Sequence, residues 1–225
     1  MNQIDIAKLI EHFEQYAKEK LKDIDSGHDY QHALRVRKAA LEIAAIEGGD
    51  LVIIELSSLL HDCIDSKFFD SKKELQLIND ALLSEHLDDE SCIRILHVIE
   101  NISFTSQKSG VDSSSLELQI VRDADRLDAL GAIGIARTFN YGGFKKRIFF
   151  DENIFPANYP ESTEPTINHF FEKLFRLKDM MHTQTARQVA IARHLYLYEF
   201  LKQFFSEWQF KSKINQLKWI SLIPD

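Results

Sequence analysis

The sequence predicts an all-α fold. Apolar residues recur at helical spacing in one segment after another, and no stretch alternates convincingly with period two. Capping residues and glycines stand where those segments begin and end. Composition agrees: a 44% hydrophobic fraction in 225 residues supports a sizeable core, and sixteen Phe against eight Gly and four Pro exclude a loop-rich chain.

Taken in order, Ile4 to Leu21 carries an apolar stripe (Leu9, Phe13, Ala17 among others) and reads as an amphipathic helix broken by Asp23 to Gly27. The next helix is expected from near His28 to about Glu47. Gly48-Gly49-Asp50 then stops it and caps the aliphatic run Leu51 to Asp62. Ser71-Lys72-Lys73-Glu74 reads as a capping box for a helix to about Leu87, followed by another from Asp89 to about Asn101. Ser103 to Ser115 reads as a loop, and Ser114-Ser115-Leu116-Glu117 as a second capping box. That box opens a helix through Asp123, Asp125 and Asp128, with Gly131 and Gly134 allowing close packing. Tyr141 to Pro165 is the longest irregular stretch. Ile167 to about Met181 and Thr185 to about Trp208 are expected as closing helices. The expected organisation is a single domain over residues 1–225, with neither linker nor repeats.

A formal charge of −8 argues against a nucleic-acid scaffold. Two cysteines, Cys63 and Cys92, make no disulfide framework and fit a reducing compartment. The polar, acidic start lacks the features of a signal peptide, and no apolar run reaches the roughly 18 residues of a membrane span. A cytoplasmic protein without a membrane role is the expectation, and homo-oligomer formation is left open.

The chemistry concentrates where an apolar helix ends, at His61-Asp62 with Asp65 three residues on. An imidazole and a carboxylate carried into a buried place need partners or a metal. His28 and His32 stand four apart with Arg35 three beyond. Arg122-Asp123-Ala124-Asp125-Arg126-Leu127-Asp128 packs three carboxylates and two guanidiniums into two turns. Each has a plain structural reading taken singly, as a hydrogen bond, a packed histidine or an ion-pair ladder. Three such sites on three core helices point to one centre.

Together these segments resemble the HD-domain metal-dependent phosphohydrolases, whose pattern is a His, then a His-Asp doublet, then a distant Asp. The pattern falls on His32, on His61-Asp62, and on Asp125 within Asp123-Ala124-Asp125-Arg126-Leu127-Asp128. The likeness runs from roughly Ile24 to Trp208 and implies an HD-domain helical bundle, with an HD core over about 24–140 and closing helices over about 166–208. The Asp-Ala-Asp-Arg-Leu-Asp segment resembles a bacterial subgroup, some members of which release pyrophosphate from nucleoside triphosphates.

The resemblance implies one divalent ion on His32, His61, Asp62 and Asp125, with two positions open for water and a phosphate oxygen. The mixed N/O donor set suits Mn²⁺ first, then Ni²⁺, Co²⁺ or Fe²⁺, and Mg²⁺ less well. Asp65 is the candidate proton-transfer residue, or else a solvent-exposed helix end. His28, Arg35, Lys67, Arg126 and the run Lys145-Lys146-Arg147 are candidate phosphate-binding cations, the run being otherwise a solvated loop. His86 and His97 lie where a second metal would draw extra ligands. The leading reaction is pyrophosphate release from a nucleotide. Its rivals are a nucleoside 5′-monophosphate phosphatase, a cyclic-nucleotide phosphodiesterase and a non-enzymatic nucleotide-sensing module.

Overall fold

The computed structural model describes residues 5–24, 29–102, 115–157, 164–208, 219 and 221–222. The described residues form nine α-helices and two 3₁₀ turns, with no strand among them. The chain divides into two compact units between Asp125 and Arg126.

In the first unit, α1 (Ile6–Leu21) is capped by Asp5 and buries Leu9, Phe13, Ala17 and Leu21, a stripe at every fourth residue. Asp29 caps α2 (Tyr30–Glu47) by accepting the His32 amide at 2.8 Å, so the helix starts just inside its expected beginning. It stops at Gly48, whose φ of +89° is a backbone state that side chains with a Cβ avoid. Asp50 then caps α3 (Leu51–Leu60) through the amides of Val52 and Ile53. This helix packs against α1, α2 and α5, and Ile53, Ile54, Leu56, Leu59 and Leu60 are all fully or almost fully buried. The expected helix through Asp62 instead tightens at His61–Ile64 into a 3₁₀ turn. Apolar spacing cannot separate the two, because a 3₁₀ turn at a helix end continues nearly the same pattern.

Two caps sit one residue from where the sequence placed them. Asp70, not Ser71, caps α4 (Ser71–Ser84), because Ser71 turns its hydroxyl to the Ile64 carbonyl at 2.7 Å. Glu74 is thereby released from capping and buries a 2.6 Å ion pair with Lys20 of α1. α5 occupies Asp89–Asn101 as expected, with Asp88 as its cap. Ser115 receives the Leu118 amide at the start of α6 (Leu116–Asp128), while Ser114 lies outside the described residues.

The second unit holds the end of α6, α7 (Gly131–Phe144), α8 (Asn168–Glu172), a 3₁₀ segment Leu174–Met180, and α9 (Gln184–Glu207). The single helix expected from Asp123 past Gly134 is two, broken where Gly131 takes φ +70°; a Cβ there would also press to 3.1 Å from Arg193. One closing helix is likewise two short pieces, divided at Lys173. Phenylalanines organise this unit. Phe139 meets Phe149 at 5.3 Å and Phe200 at 6.0 Å, and Phe150 packs against Phe205 at 5.4 Å and Trp219 at 4.8 Å.

Polar clamps fix the helices of the first unit. Arg37 on α2 donates to Glu14 of α1 at 2.7 Å and to Glu55 of α3 at 2.8 Å, and the Tyr30 hydroxyl donates to Glu14 at 2.7 Å. Glu117 of α6 accepts from the Asp50 amide at 3.1 Å, Arg94 of α5 at 2.9 Å and Ser115 at 2.7 Å. Burial pushes the Glu117 carboxyl up, but those donors outweigh it and hold it below its ordinary 4.5. Its contribution to stability is therefore complete above about pH 4.5 and is lost as pH falls through the lowered folded value. Glu117→Gln should cost about 1–2 kcal/mol at neutral pH. Urea titrations of the two proteins should diverge at pH 7 and converge as pH falls through the lowered folded value.

Candidate metal centre

The centre is assembled by helix ends. His32 lies one turn into α2, its amide fixed on the Asp29 carboxylate and its side chain wholly buried. His61 opens the 3₁₀ turn after α3, with Asp62 next to it, and both are buried. The apolar α3 carries the pair inward, and the tighter turn spaces successive side chains about 120° apart at three residues per turn.

His61 Nδ1 lies 2.8 Å from the Ser58 carbonyl. A carbonyl only accepts, so Nδ1 carries the proton and Nε2 presents a lone pair, the tautomer a metal ligand needs. That Nε2 is 3.3 Å from His32 Nε2 and 3.4 Å from Asp62 Oδ1. His32 Nε2 also faces Asp62 Oδ2 at 3.5 Å and Asp125 Oδ1 at 3.3 Å. The imidazoles meet edge to face at 74°, so both ring edges point into one small space. Donor atoms at about 2.1 Å from one ion lie about 3.0 Å apart at a right angle and about 3.4 Å at the tetrahedral angle. The observed separations are 3.3–3.5 Å. His32, His61 and Asp62 each offer one atom within 4.8 Å of the others, a set able to hold a metal ion, and no other such group occurs among the described residues. Asp125 approaches this trio through His32 and is the most exposed of the four, its side chain at 35%.

The other expected residues are distributed more widely. Asp65 leaves the 3₁₀ turn in extended conformation, so it does not share a helical face with Asp62. Its carboxylate accepts the Lys67 amide at 2.9 Å and pairs with Lys67 Nζ at 3.4 Å. Arg35 is half-buried on α2, and His28 lies outside the described residues. In the second unit, Arg126 is buried and donates to the Met180 carbonyl, while Asp128 pairs with Arg137 at 3.0 Å. Lys145 lies over the rings of Tyr141 and Phe144, and Arg147 over Tyr141. Beside Arg147, His169 is driven down to about 3 by burial and then by Lys173 and Arg147, so it is neutral. His97 hydrogen-bonds within α5 to Asn101, and His86 ends α4 with φ +63°; neither belongs to a metal-competent group. Burial and the Asp62 charge push the Cys63 thiol up, which excludes thiolate chemistry there.

The residues missed from the sequence are those that hold the ligands. The Ser58 carbonyl gives no residue-type signal. Arg37 shows its role only when Glu14 and Glu55 are brought to it. Asp29, three before His32, is a capping spacing that could have been read.

A model of the HD domain matches residues 29–130, which spans all four residues. YpgQ of Bacillus subtilis is 38% identical over 199 residues, covering 87% of this chain and 92% of YpgQ. The chain belongs to the HD-domain superfamily. An HD-superfamily hydrolase of Bacillus thuringiensis superposes with a TM-score of 0.74 at 40% identity, covering 90% of this chain and 98% of that one. A protein of Lactobacillus plantarum gives 0.78 at 35% identity, over 88% and 96%. The structure of YpgQ in complex with ADP gives 0.73 at 32%, over 88% and 97%. The HD chain is accordingly a metal-dependent phosphohydrolase with an all-α fold. No helix among its described residues is long and apolar enough to cross a membrane.

The geometry grades the donors. His61→Ala removes a buried imidazole fixed on a carbonyl, and should abolish retention of a divalent ion through gel filtration. Asp125→Ala removes the exposed carboxylate and should weaken affinity by roughly 10–100-fold while leaving measurable binding. Elemental analysis and competition with a chelating dye read both, and full occupancy in His61→Ala would remove it from the ligand set.

Proposed function

We propose that this HD hydrolase releases pyrophosphate from nucleoside or deoxynucleoside triphosphates, using one divalent ion on His32, His61, Asp62 and Asp125, with Mn²⁺ preferred. The observation that carries the reading is the convergence of His32, His61 and Asp62 with Asp125 on His32. The complex of YpgQ with ADP supports a nucleotide as the ligand class. The reading includes a cytoplasmic setting, which fits two free cysteines.

When bound, the ion supplies Lewis acidity to a phosphoryl group and acidifies water toward pKa ~7. The chain's own residues do the rest. His32 and His61 present their Nε2 atoms to one space, His61 held in orientation by the Ser58 carbonyl. Asp65 handles the proton of the attacking water or of the leaving oxygen, and Lys67 beside it balances its charge. His28, Arg35 and Arg126 add positive charge toward phosphates. Lys145, Lys146 and Arg147 act as the clamp at the exposed end of α7, with Lys145 and Arg147 stacked on its rings.

Incubation of the Mn²⁺-loaded protein with a panel of nucleotides, with products separated by ion exchange, should yield monophosphate and pyrophosphate in equal amounts from triphosphates. Orthophosphate as the sole inorganic product, or turnover confined to monophosphates or cyclic nucleotides, would overturn the assignment. Asp65→Asn should retain its metal and a non-hydrolysable triphosphate while turnover falls by ~10²–10⁴. Loss of metal in step with activity would make Asp65 a ligand or an orienter of one.

A further inference from the structure

A buried ion pair stands beside the turn that carries His61 and Asp62. Glu74, in the first turn of α4, is only 6% exposed and pairs with Lys20 of α1 at 2.6 Å. Both helices pack on the His61–Ile64 turn, so the pair ties them together across the segment that bears the doublet. Cys63, next to Asp62 and fully buried, has its thiol near enough that the charges of Lys20 and Glu74 both act on it. The Lys20 ammonium also stands 4.7 Å from the centre of the Phe69 ring, and the Ser71 hydroxyl donates to the Ile64 carbonyl at 2.7 Å. The turn is thus gripped at its middle, at its end and beyond it.

Such a pair contributes position more than stability. Two apolar side chains of similar volume would hold the helices about as firmly, because desolvating both charges cancels most of their attraction. Apolar contacts, however, repack and slide at small cost. An ionised donor and acceptor have a narrow optimum in distance and direction, so the pair fixes where the two helices stand against the turn. The donor atoms of the doublet and of His32 are only 3.3–3.5 Å apart, so a small displacement of the turn changes what they can hold.

We infer that Lys20 and Glu74 are positioning residues for the His61–Asp62 doublet: their ion pair sets where the turn presents His61 Nε2 and the Asp62 carboxylate, without either residue being a ligand. The inference rests on the reading of that doublet as metal ligands. Its own content is mechanical, and a measurement on the metal-free chain reads it separately.

Removing one partner would strand the other as a buried charge, so both are replaced at once, Lys20→Met with Glu74→Leu. In the metal-free protein labelled with nitrogen-15 histidine, the His61 Nδ1 proton, held on the Ser58 carbonyl, reports the position of the ring. Its resonance should shift or broaden in the double variant. It should stay in place in Lys22→Met, which breaks an exposed pair with Glu19 at the end of the same helix. Competition with a chelating dye should show Mn²⁺ affinity lowered roughly 10–100-fold in the double variant, while its metal-free thermal midpoint stays close to that of the wild type. A pair with only a structural role would do the reverse, and a lowered midpoint with the resonance and the affinity unmoved would overturn the inference. Should the double variant fail to fold, Glu74→Asp decides, since it keeps the charge and draws it back by one methylene: an unmoved His61 resonance there overturns the inference, and a shifted one supports it. A wild-type chain that retains no Mn²⁺ would fail the metal reading instead, and the His61 resonance would still decide the positioning role.

Discussion

Everything at the centre depends on the burial of α3. From Ile53 to Leu60 its aliphatic residues are buried and it packs on three other helices, so whatever follows Leu60 is delivered to the interior of its unit. An imidazole and a carboxylate placed there without partners would cost several kcal/mol. The structure offsets that cost by converging polar groups rather than by letting them reach water. The Ser58 carbonyl takes one His61 nitrogen, and His32 brings a second imidazole against the other. Those contacts leave lone pairs and carboxylate oxygens facing one another, an arrangement that a cation stabilises and that an empty apolar core would not produce.

Precision at this centre requires α2 and α3 to keep their register, since His32 belongs to one and His61 follows the other. Hydrophobic packing alone fixes helices loosely along their axes, because neighbouring rotamers and small slides bury nearly equal area. Arg37 removes that freedom with hydrogen bonds to α1 and α3 from a single planar group. Glu117 does the same at the opposite end of α3, joining its N-terminus to α5 and α6. Both clamps lie away from the ligands, yet a slide of one residue rise, ~1.5 Å, would break donor separations that are only 3.3–3.5 Å.

The all-α class and the position of α5 were legible in the sequence because each follows from residue type and period. His61 and Asp62 follow the aliphatic run of α3, an anomaly visible without coordinates, whereas His32 and Asp125 stand among other polar residues and are singled out by the resemblance to the HD pattern. Backbone decisions were not legible. The change from α-helix to 3₁₀ turn at His61 leaves the apolar pattern intact, so the extended backbone of Asp65, which takes it off the face a continuous helix would share with Asp62, is not visible in the sequence. The break between α6 and α7 depends on Gly131 taking positive φ, whereas a glycine in an apolar stretch reads equally well as a packing residue. The capping-box pattern points to Ser71, but the neighbouring Asp70 is the residue that caps α4. Arg37 was invisible because its partners come from two other helices.

The distribution of the remaining histidines and cysteines narrows the chemistry further. His97 is engaged with Asn101 inside its own helix, His169 is neutral beside two cations, and the Cys63 thiol is held protonated by burial. The described residues therefore concentrate their metal-competent chemistry in one compact trio with Asp125 at its exposed side. Three buried donors can fix an ion, while a fourth that remains near solvent leaves the approach open on its own side.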